Sequence, residues 1–315
     1  MKKINKTKIF AKTTLGCLIY FTSIILAFAN PIIPDNANTQ IQNVNNIPVI
    51  NIANPNGAGV SYNAYKEFNV GSQGTILNNS LNGLNSKLAG QLDKNHNLSS
   101  AAKIIVNEVV GGNESKLLGV LEIVGNKANV VISNQNGIIA NGAGFIDLNN
   151  LNAGKVILNQ NGGLHSINVG KGQITISEKG LNGDGVNGVA LVIRFLELNG
   201  QVKGNDIFIK AGSDERNYNK LQFAIGTKSL GGIYANKIFV QSTENGFGVN
   251  LGNLVSTGDL NISSSGPANL SGTLKSGNML MVMAPVINEA SNTKIEAGNG
   301  IPMLLRMNPY GTILN

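Results

Sequence analysis

The segment VVISNQNGIIANGAGFIDLNN (residues 130–150) alternates short apolar runs with Asn and Gly. Apolar runs broken by residues that tolerate positive φ are typical of short β-strands joined by tight turns. The pattern predicts strands at 130–132 and 138–140, with a turn at 134–137 between them. The segment carries no acid–base pair, no cluster of metal ligands and no phosphate-binding loop. It therefore predicts a fold and assigns no chemistry.

The same rhythm continues through the later chain. Short apolar runs bounded mostly by Gly, Asn or Ser occur at 130–132, 138–140, 156–158, 174–177, 189–198, 207–210, 221–225, 233–240, 247–251, 260–263, 269–274 and 279–287. The later spacing predicts about two strands in each coil of about twenty residues. A β-sandwich can show this rhythm, but hairpin dipeptides are scarce between the late runs. Stacked coils of a parallel β-helix are therefore favoured.

The earlier segments are less regular. Residues 30–47 form a Pro/Asn-rich leader, and the atypical stretch before residue 70 is the natural N-terminal cap, because an uncovered coil exposes strand edges. The leucines of LNGLNSKLAGQL (81–92) fit a helix, although its glycines make a turn-rich excursion equally plausible. AKIIVNEVVGG and LLGVLEIVG, within 102–125, predict two strands joined as a hairpin through Gly111-Gly112-Asn113.

Composition excludes several classes of protein. Hydrophobic residues make up 42% and charged residues 13% of the 315-residue chain, which is a poor fit to disorder, and Gly lacks the three-residue period of collagen. The formal net charge of +7 depends on five lysines in the first 29 residues, without which 19 basic residues face 17 acidic ones. Because a nucleic-acid site needs a clustered basic face, no nucleic-acid partner is predicted.

Residues 1–29 have the features of a cleavable signal peptide. A basic start precedes an apolar run, and Ala27 and Ala29 form an A-x-A cleavage site. The run is short for a membrane span of about 20 residues, so cleavage is favoured over an anchor, and Cys17 leaves a lipoprotein signal as a further alternative. The rest of the chain has no cysteine, and no disulfide scaffold can hold the fold.

Motifs for cofactors and metals are weak. GDGVNG matches G-x-G-x-x-G at Gly183, Gly185 and Gly188, but a dinucleotide site needs a helix to follow. The strand-like VALVIRFLEL follows instead, so we expect a wide glycine turn and no cofactor. His96 and His165 each stand alone in a polar turn, and no zinc site is predicted.

Two side-chain groups leave alternatives open. The carboxylates of Asp206, Asp214, Glu215 and Glu244 could meet on a solenoid face, as in polysaccharide-cleaving β-helices, although solvated turn residues are the commoner case. Tyr62, Tyr65 and Phe68 could form a sugar-binding patch. Aromatic pairing on a half-buried strand is the commoner explanation.

Several segments together resemble one family. They are IPVINIANPNGAGVSYNAYKEFNV (47–70), GTILNNS (74–80), NHNL (95–98), NQNGI (134–138) followed by NGAGFID, and GGIYANKIFVQSTENGFGVNLG (231–252). The combination, over about residues 47–275, resembles the secretion (TPS) domain of two-partner-secretion exoproteins, which include filamentous haemagglutinin-like adhesins and contact-dependent inhibition toxins. That family has NPNL and NPNGI, so His96 and Gln135 stand where it has Pro.

The resemblance implies an all-β fold. It is a right-handed parallel β-helix (solenoid) with an N-terminal β cap and a β-structured excursion on its flank. The implied division is a cleavable signal peptide at 1–29, a secretion domain at 30–275, and further coils at 276–315, the start of a shaft or a truncated end. The resemblance implies no enzyme activity, no cofactor and no metal.

The resemblance also implies partners. A TpsB-type outer-membrane transporter with periplasmic POTRA domains would recognise the extended chain, after a Sec translocon has passed it into the periplasm. The chain would then be secreted to the bacterial cell surface, where it stays outer membrane-associated and meets a receptor on a host or neighbouring cell. The implied recognition motifs are Asn95, His96, Asn97 and Leu98, and Asn134, Gln135, Asn136, Gly137 and Ile138.

The leading hypothesis is therefore a secretion and targeting module of an adhesin or toxin-delivery filament. Two alternatives remain at this stage: a secreted β-helical enzyme acting on polysaccharide, and a stand-alone glycan-binding protein. Loss of polysaccharide cleavage on replacing clustered acids would favour the enzyme.

Overall fold

The structure, a computed structural model, describes residues 32–168, 171–212, 223–228, 231–307 and 313–314. The expected signal peptide, with Ala27 and Ala29, lies outside these residues, as do Asp214 and Glu215. All regular elements of the described residues are β-strands. Within the same ranges the structure shows no helix long and apolar enough to cross a membrane.

The strands are short and follow one another closely. The first sixteen are β1 (Ile33–Pro34), β2 (Gln40–Val44), β3 (Ile47–Asn51), β4 (Val60–Glu67), β5 (Thr75–Asn79), β6 (Leu84–Ser86), β7 (Gly90–Leu92), β8 (Ile104–Val109), β9 (Ser115–Leu117), β10 (Val120–Gly125), β11 (Asn129–Asn134), β12 (Ile138–Ala140), β13 (Ala143–Ile146), β14 (Asn150–Ala153), β15 (Lys155–Leu158) and β16 (Leu164–Asn168). They are followed by β17 (Gln173–Ile176), β18 (Leu181–Ile193), β19 (Phe195–Leu198), β20 (Gln201–Ala211), β21 (Phe223–Thr227), β22 (Gly232–Ser242), β23 (Gly248–Leu251), β24 (Asn253–Ser256), β25 (Leu260–Ser264), β26 (Ala268–Leu270), β27 (Thr273–Ser276), β28 (Leu280–Ala284), β29 (Ile287–Glu289), β30 (Lys294–Ala297), β31 (Met303–Met307) and β32 (Ile313–Leu314).

Parallel pairing arranges most strands in three ladders, which we call faces A, B and C. Face A consists of β3, β5, β10, β13, β18, β20, β22, β24, β27 and β30. Face B consists of β4, β8, β11, β14, β18, β20, β22, β25, β28 and β31. Face C consists of β9, β12, β17, β19, β21, β23, β26 and β29. The fold is thus a parallel β-helix, as expected, and the long strands β18, β20 and β22 belong to faces A and B at once.

The coil has three strands, and the expectation of about two was wrong. Strands β24, β25 and β26 form one coil, and β27, β28 and β29 form the next. The apolar runs 269–274 and 279–287 each span two strands. The second of these corners has no polar break, because Pro285 and Val286 join β28 to β29.

The hairpin predicted within 102–125 is also wrong. β8 pairs in parallel with β4 and β11, and β10 pairs in parallel with β5 and β13. At the glycines the chain turns onto face C, where β9 lies. Gly111 packs so closely on the coil beneath that a Cβ would lie 2.0 Å from the Lys66 carbonyl oxygen. The same turn residues occur at solenoid corners and in hairpins, and packing against the neighbouring coil determines which of the two forms.

Three smaller predictions are settled by the strands. Residues 81–92 form the β6–β7 hairpin, which is the turn-rich excursion and not the helix. Gly183, Gly185 and Gly188 lie inside β18, where its register to β20 slips, so the expected wide turn is an irregularity within a strand. His165 lies in β16 and not in a turn.

Stacked aliphatic side chains fill the solenoid. On face B, one inward position is occupied in successive coils by Ile132, Ala153, Leu191, Ile209, Val240, Ile262 and Val282, all buried. Each fully buried Val, Leu or Ile side chain contributes about 1.5–3 kcal/mol. A single coil cannot bury this face alone, so each coil is stabilised by its neighbours.

The cap consists of two antiparallel additions to the first strands. β2 pairs with β3, and β1 pairs with β4, so the predicted leader contains two strands. Because β3 and β4 pair with later strands on their other sides, these additions cover their free edges. The predicted cap thus lies within the stretch before residue 70 but is smaller than expected, because it consists of β1 and β2 while β3 and β4 already belong to faces A and B.

Two antiparallel hairpins, and not one excursion, cover the outer surface of the first coils. The β6–β7 hairpin buries Ile47, Val49, Ile76 and Val124. The β15–β16 hairpin buries Val60, Val106 and Val131. Outward positions of these coils are apolar because a second layer lies on them.

Candidate functional site

The NHNL motif folds into a turn that holds two strands and the segment between β1 and β2 together. Asn95 is 1% exposed, and its amide Nδ2 donates to the carbonyl oxygens of Ile52 and Asn78, at 2.9 Å each. Its Oδ1 accepts from the Asn97 N–H at 2.9 Å, and its backbone oxygen accepts from the Leu98 N–H at 3.2 Å. Such an Asx turn inside a β-turn is a common use of Asn.

Asn97, the second asparagine of that motif, also binds the end of β3 and reaches the segment between β1 and β2. Its Nδ2 donates to the carbonyl oxygens of Asn51, Ile52 and Asn38, at 3.1, 3.3 and 3.3 Å. The motif therefore connects the end of β3, the end of β5 and the segment between β1 and β2. Both of its asparagines make structural contacts.

The NQNGI motif has the same construction one coil later. Asn134 is 5% exposed, and its Nδ2 donates to the Asn113 carbonyl oxygen at 3.0 Å and to Ser115 Oγ at 2.9 Å. Its Oδ1 accepts from the Asn136 N–H at 2.9 Å, and its backbone oxygen accepts from the Gly137 N–H at 3.3 Å. Asn136 Nδ2 donates to the Gly111 carbonyl oxygen at 2.8 Å.

Gly137 is required by both conformation and space. Its φ is +125°, and a Cβ there would lie 2.9 Å from the backbone oxygen of Gln173 in the next coil. Ile138 follows as a buried core residue of β12. The predicted strands at 130–132 and 138–140 and the turn at 134–137 are confirmed.

The positions that differ from the family are exposed in both motifs. His96 and Gln135 are exposed, whereas Asn95 and Asn134 are buried. Each exposed residue is the second residue of a four-residue β-turn, a position that favours Pro. The two motifs are anchored to different strands, so the folded chain presents two separate corners and not one composite surface.

Among the residues that the structure describes, the other candidate side chains do not assemble into a reactive group. Glu244 is buried and forms an ion pair with Arg194 at 3.0 Å, while Asp206 lies in β20. No group of three or more His, Cys, Asp or Glu side chains suited to a metal ion occurs in the described ranges. Tyr65 and Phe68 are buried with ring centroids 4.9 Å apart. Only Tyr62 of the proposed aromatic patch is exposed, at 38%.

A cleft that the sequence did not indicate opens beside the NHNL turn. Its volume is about 550 Å³, and its lining includes Tyr62, Asn38, Asn54, Asn56 and Asn97. The Tyr62 hydroxyl donates to Glu108 Oε2. Burial raises the pKa of this phenol, and the Glu108 contact raises it further, so the ring stays neutral. No sequence signal joins these residues, because they come from four separate segments.

The fold and the turns define a class of protein. It is a cysteine-poor parallel β-helix whose first coils are capped, covered by hairpins and tied by two N-x-N turns. The family model described as TPS secretion domain matches residues 30–270. The chain belongs to this family and is the N-terminal secretion module of a two-partner-secretion exoprotein.

Individual relatives agree with this assignment. The 16S rRNA endonuclease CdiA of Enterobacter cloacae is 39% identical over 302 residues, which cover 88% of this chain and 9% of that protein. A tRNA nuclease CdiA of Escherichia coli O6:K15:H31 (strain 536) is 40% identical over 266 residues, which cover 78% and 8%. The chain thus spans less than a tenth of these relatives' length.

A solved structure agrees as well. The crystal structure of filamentous hemagglutinin secretion domain aligns with a TM-score of 0.78 and 29% identity, covering 87% of this chain and 99% of that one. The match supports the parallel β-helix architecture.

Proposed function

We propose that the two N-x-N motifs are read by a TpsB-type outer-membrane transporter before the chain folds. The proposal rests on the observation that the asparagine side chains of both motifs make hydrogen bonds inside the folded chain. Asn95 and Asn134 become buried and donate their amides to backbone carbonyls. In an extended chain the same amides are free to bind periplasmic POTRA domains of the transporter.

Folding would then give export a direction. Once the first coils close outside the cell, the motif amides are no longer available to the transporter, and each later coil stacks on a finished edge. The route we propose begins with the Sec translocon acting on the signal segment and ends at the cell surface. There a longer exoprotein would act as an adhesin or deliver a toxin to a receptor on another cell.

The direct test is secretion with and without the cognate transporter. We expect export to depend on the transporter, and to fall in Asn136→Ala and Gly137→Val. Gly226→Val is the matched control, because a Cβ there meets nothing within 4 Å. Equal secretion in the presence and absence of the transporter would overturn the proposal.

A binding experiment tests the order of recognition and folding. Purified periplasmic domains of the transporter should capture chain freshly diluted from denaturant, and release it as the chain folds. Chain that is folded beforehand should bind at least about tenfold more weakly, a difference of about 1.4 kcal/mol. Equal capture of both forms would show that recognition does not require the extended state.

A further inference from the structure

We propose that the cleft beside the NHNL turn binds a neutral carbohydrate. Its volume of about 550 Å³ lies within the range of about 300–1,000 Å³ typical of small-molecule sites. The lining described above contains amides, a phenol and small apolar groups, and no charged side chain is among the described lining residues. An uncharged ligand with many hydroxyls matches this surface.

The polar groups of the cleft are fixed before a ligand arrives. Asn54 Oδ1 accepts from the N–H and the hydroxyl of Ser99, at 2.8 and 3.0 Å, and its Nδ2 has no partner among the described residues. Asn97 donates its Nδ2 to backbone carbonyls, and its Oδ1 likewise has no partner there. One residue thus offers a donor and the other an acceptor. A sugar hydroxyl both donates and accepts, so it can bond to such a pair.

Tyr62 supplies an aromatic surface in the same cleft. Its ring is 38% exposed, and the hydrogen bond from its hydroxyl to Glu108 fixes the ring orientation. Sugar rings pack their C–H faces on aromatic side chains, and a fixed ring loses little entropy when it binds. Tyr62 is therefore the expected anchor of the ligand.

The backbone of β4 adds a further polar group. Along this edge Val60 bonds with Asn56, and the Ala64 oxygen accepts from the Asp35 N–H at 2.9 Å. Because alternate residues of a strand point their N–H and C=O to the same edge, the N–H and C=O of Tyr62 face the cleft between these two contacts. A hydroxyl-rich ligand can bond to both.

The alternative ligand of the cleft, which the experiment below tests, is an extended peptide. It could add to the same edge of β4, but the neighbouring groups of Val60 and Ala64 already make hydrogen bonds, so only one residue is free for pairing. Strand addition relies on repeated main-chain bonds. The amides and the aromatic ring favour a sugar.

The test titrates the purified chain with neutral di- and trisaccharides of glucose, galactose, mannose and N-acetylglucosamine, and separately with extended peptides and sulfated glycans. Binding is observed by ligand-detected NMR and calorimetry. At least one neutral sugar should bind with a Kd on the order of 0.1–1 mM. Tyr62→Ala should weaken it at least about tenfold, and Asn38→Ala about threefold. Tyr62→Phe keeps the ring but loses the hydrogen bond to Glu108, and should weaken binding less than Tyr62→Ala does.

The controls separate loss of binding from loss of fold. Phe208→Ala removes an exposed aromatic side chain of face B, stacked on Phe239 and outside the cleft lining, and should leave the Kd unchanged. Asn38→Ala touches a side chain that makes no structural hydrogen bond among the described residues, so it should keep the parent's melting temperature.

Three outcomes would overturn the proposal: no neutral sugar binding at millimolar concentration, binding that is unchanged in both Tyr62→Ala and Asn38→Ala, or binding of peptides or sulfated glycans alone. The measurement uses no transporter, so its failure leaves the proposed route of secretion untouched.

Discussion

The N-terminal coils, up to about residue 135, and the C-terminal coils, from 231 to 307, share one architecture and differ in what fills it. The C-terminal coils stack Val, Leu and Ile with few buried polar groups, chiefly serines at corners. The N-terminal coils bury a network of asparagines and place apolar residues on their outer surface under two hairpins.

One ladder position shows the difference directly. On face B the aliphatic stack that includes Ile132 and Ile262 begins at Asn63 and Asn107. Asn107 Oδ1 accepts from the Tyr65 hydroxyl at 3.0 Å, and Asn63 Oδ1 accepts from the Ala53 N–H at 2.9 Å. A buried polar network specifies one arrangement when every member is satisfied. The polar network thus specifies one arrangement of the first coils, whereas the later coils repeat one aliphatic pattern.

Placing asparagine, the residue that begins this stack, in a C-terminal coil should lower the stability of the fold most. Ile262→Asn buries an amide at a position whose described neighbours in the stack, Val240 and Val282, are aliphatic. We expect a loss of about 4 kcal/mol or more in the free energy of unfolding, from desolvation and lost apolar burial. Denaturant titration measures it, with Ile262→Val at about 1 kcal/mol as control. A loss no larger than the control's would show that both halves accept polar cores.

Removing a motif asparagine should have the next largest effect. Asn95→Ala removes the buried amide that donates to the Ile52 and Asn78 carbonyls and accepts from the Asn97 N–H, and only the Ile52 carbonyl keeps a second side-chain donor, Asn97 Nδ2. We expect the free energy of unfolding, measured by the same denaturant titration, to fall by about 2–3 kcal/mol.

The C-terminal control for this change is Asn269→Ala. Asn269 joins a half-buried amide ladder with Asn250 and Asn288, at 2.7 and 2.8 Å, where water can replace the lost bonds. Asn269→Ala should therefore lower the free energy of unfolding by less than about 1 kcal/mol. Similar costs at both sites would remove the distinction between structural and surface asparagines.

The local structure could be predicted from the sequence where a residue pattern occurs in few kinds of structure. The strands on either side of the Asn134 turn could be predicted, because Asn-Gly between apolar runs has few alternatives. Prediction failed where the partner lies in another coil. The strands within 102–125 look like a hairpin, and only the close packing of Gly111 on Lys66 shows a corner. The cleft was missed for the same reason, since Asn38, Asn54 and Asn97 meet only in the folded chain.

Acid should loosen one N-terminal hairpin before it affects the C-terminal coils. Asp147 forms ion pairs with Lys87 of the β6–β7 hairpin at 3.0 Å and with Lys127 at 3.4 Å. The contact with Lys87 is the main cause that lowers the pKa of Asp147 below its usual 3.8, against the opposing effect of burial.

The sign of the pH effect follows from that shift. A lowered folded-state pKa gives stability that is complete above the usual pKa and is lost as pH falls through the folded-state value. The protection factors of amides 84–92, taken relative to intrinsic exchange at each pH, should therefore fall as the pH falls below about 4, and less so in Asp147→Asn, which has already lost the ion pair. Glu296→Gln is the control, because its pair with Lys275 is well exposed and contributes little. Equal acid sensitivity in Asp147→Asn and the parent would assign the effect to other groups.

Restoring proline to the motifs should have the smallest effect and the opposite sign. Gln135 and His96 occupy the second position of turns closed by the Gly137 and Leu98 N–H groups. The hydrogen bonds of the Asn134 turn use the N–H groups of Asn136 and Gly137 and not that of Gln135. Proline fixes φ near −65°, which suits this position.

Gln135→Pro should therefore raise the free energy of unfolding by about 0.4–1 kcal/mol, chiefly by restricting the unfolded chain, and should preserve or raise secretion. His96→Pro is the parallel variant in the other motif. Melting temperature and secreted yield are measured together, because stability acts on the folded turn and secretion, under the proposed mechanism, on the extended one. A proline that stabilises the turn and abolishes secretion would show that the transporter reads the side chain at this position and not the asparagines on either side of it.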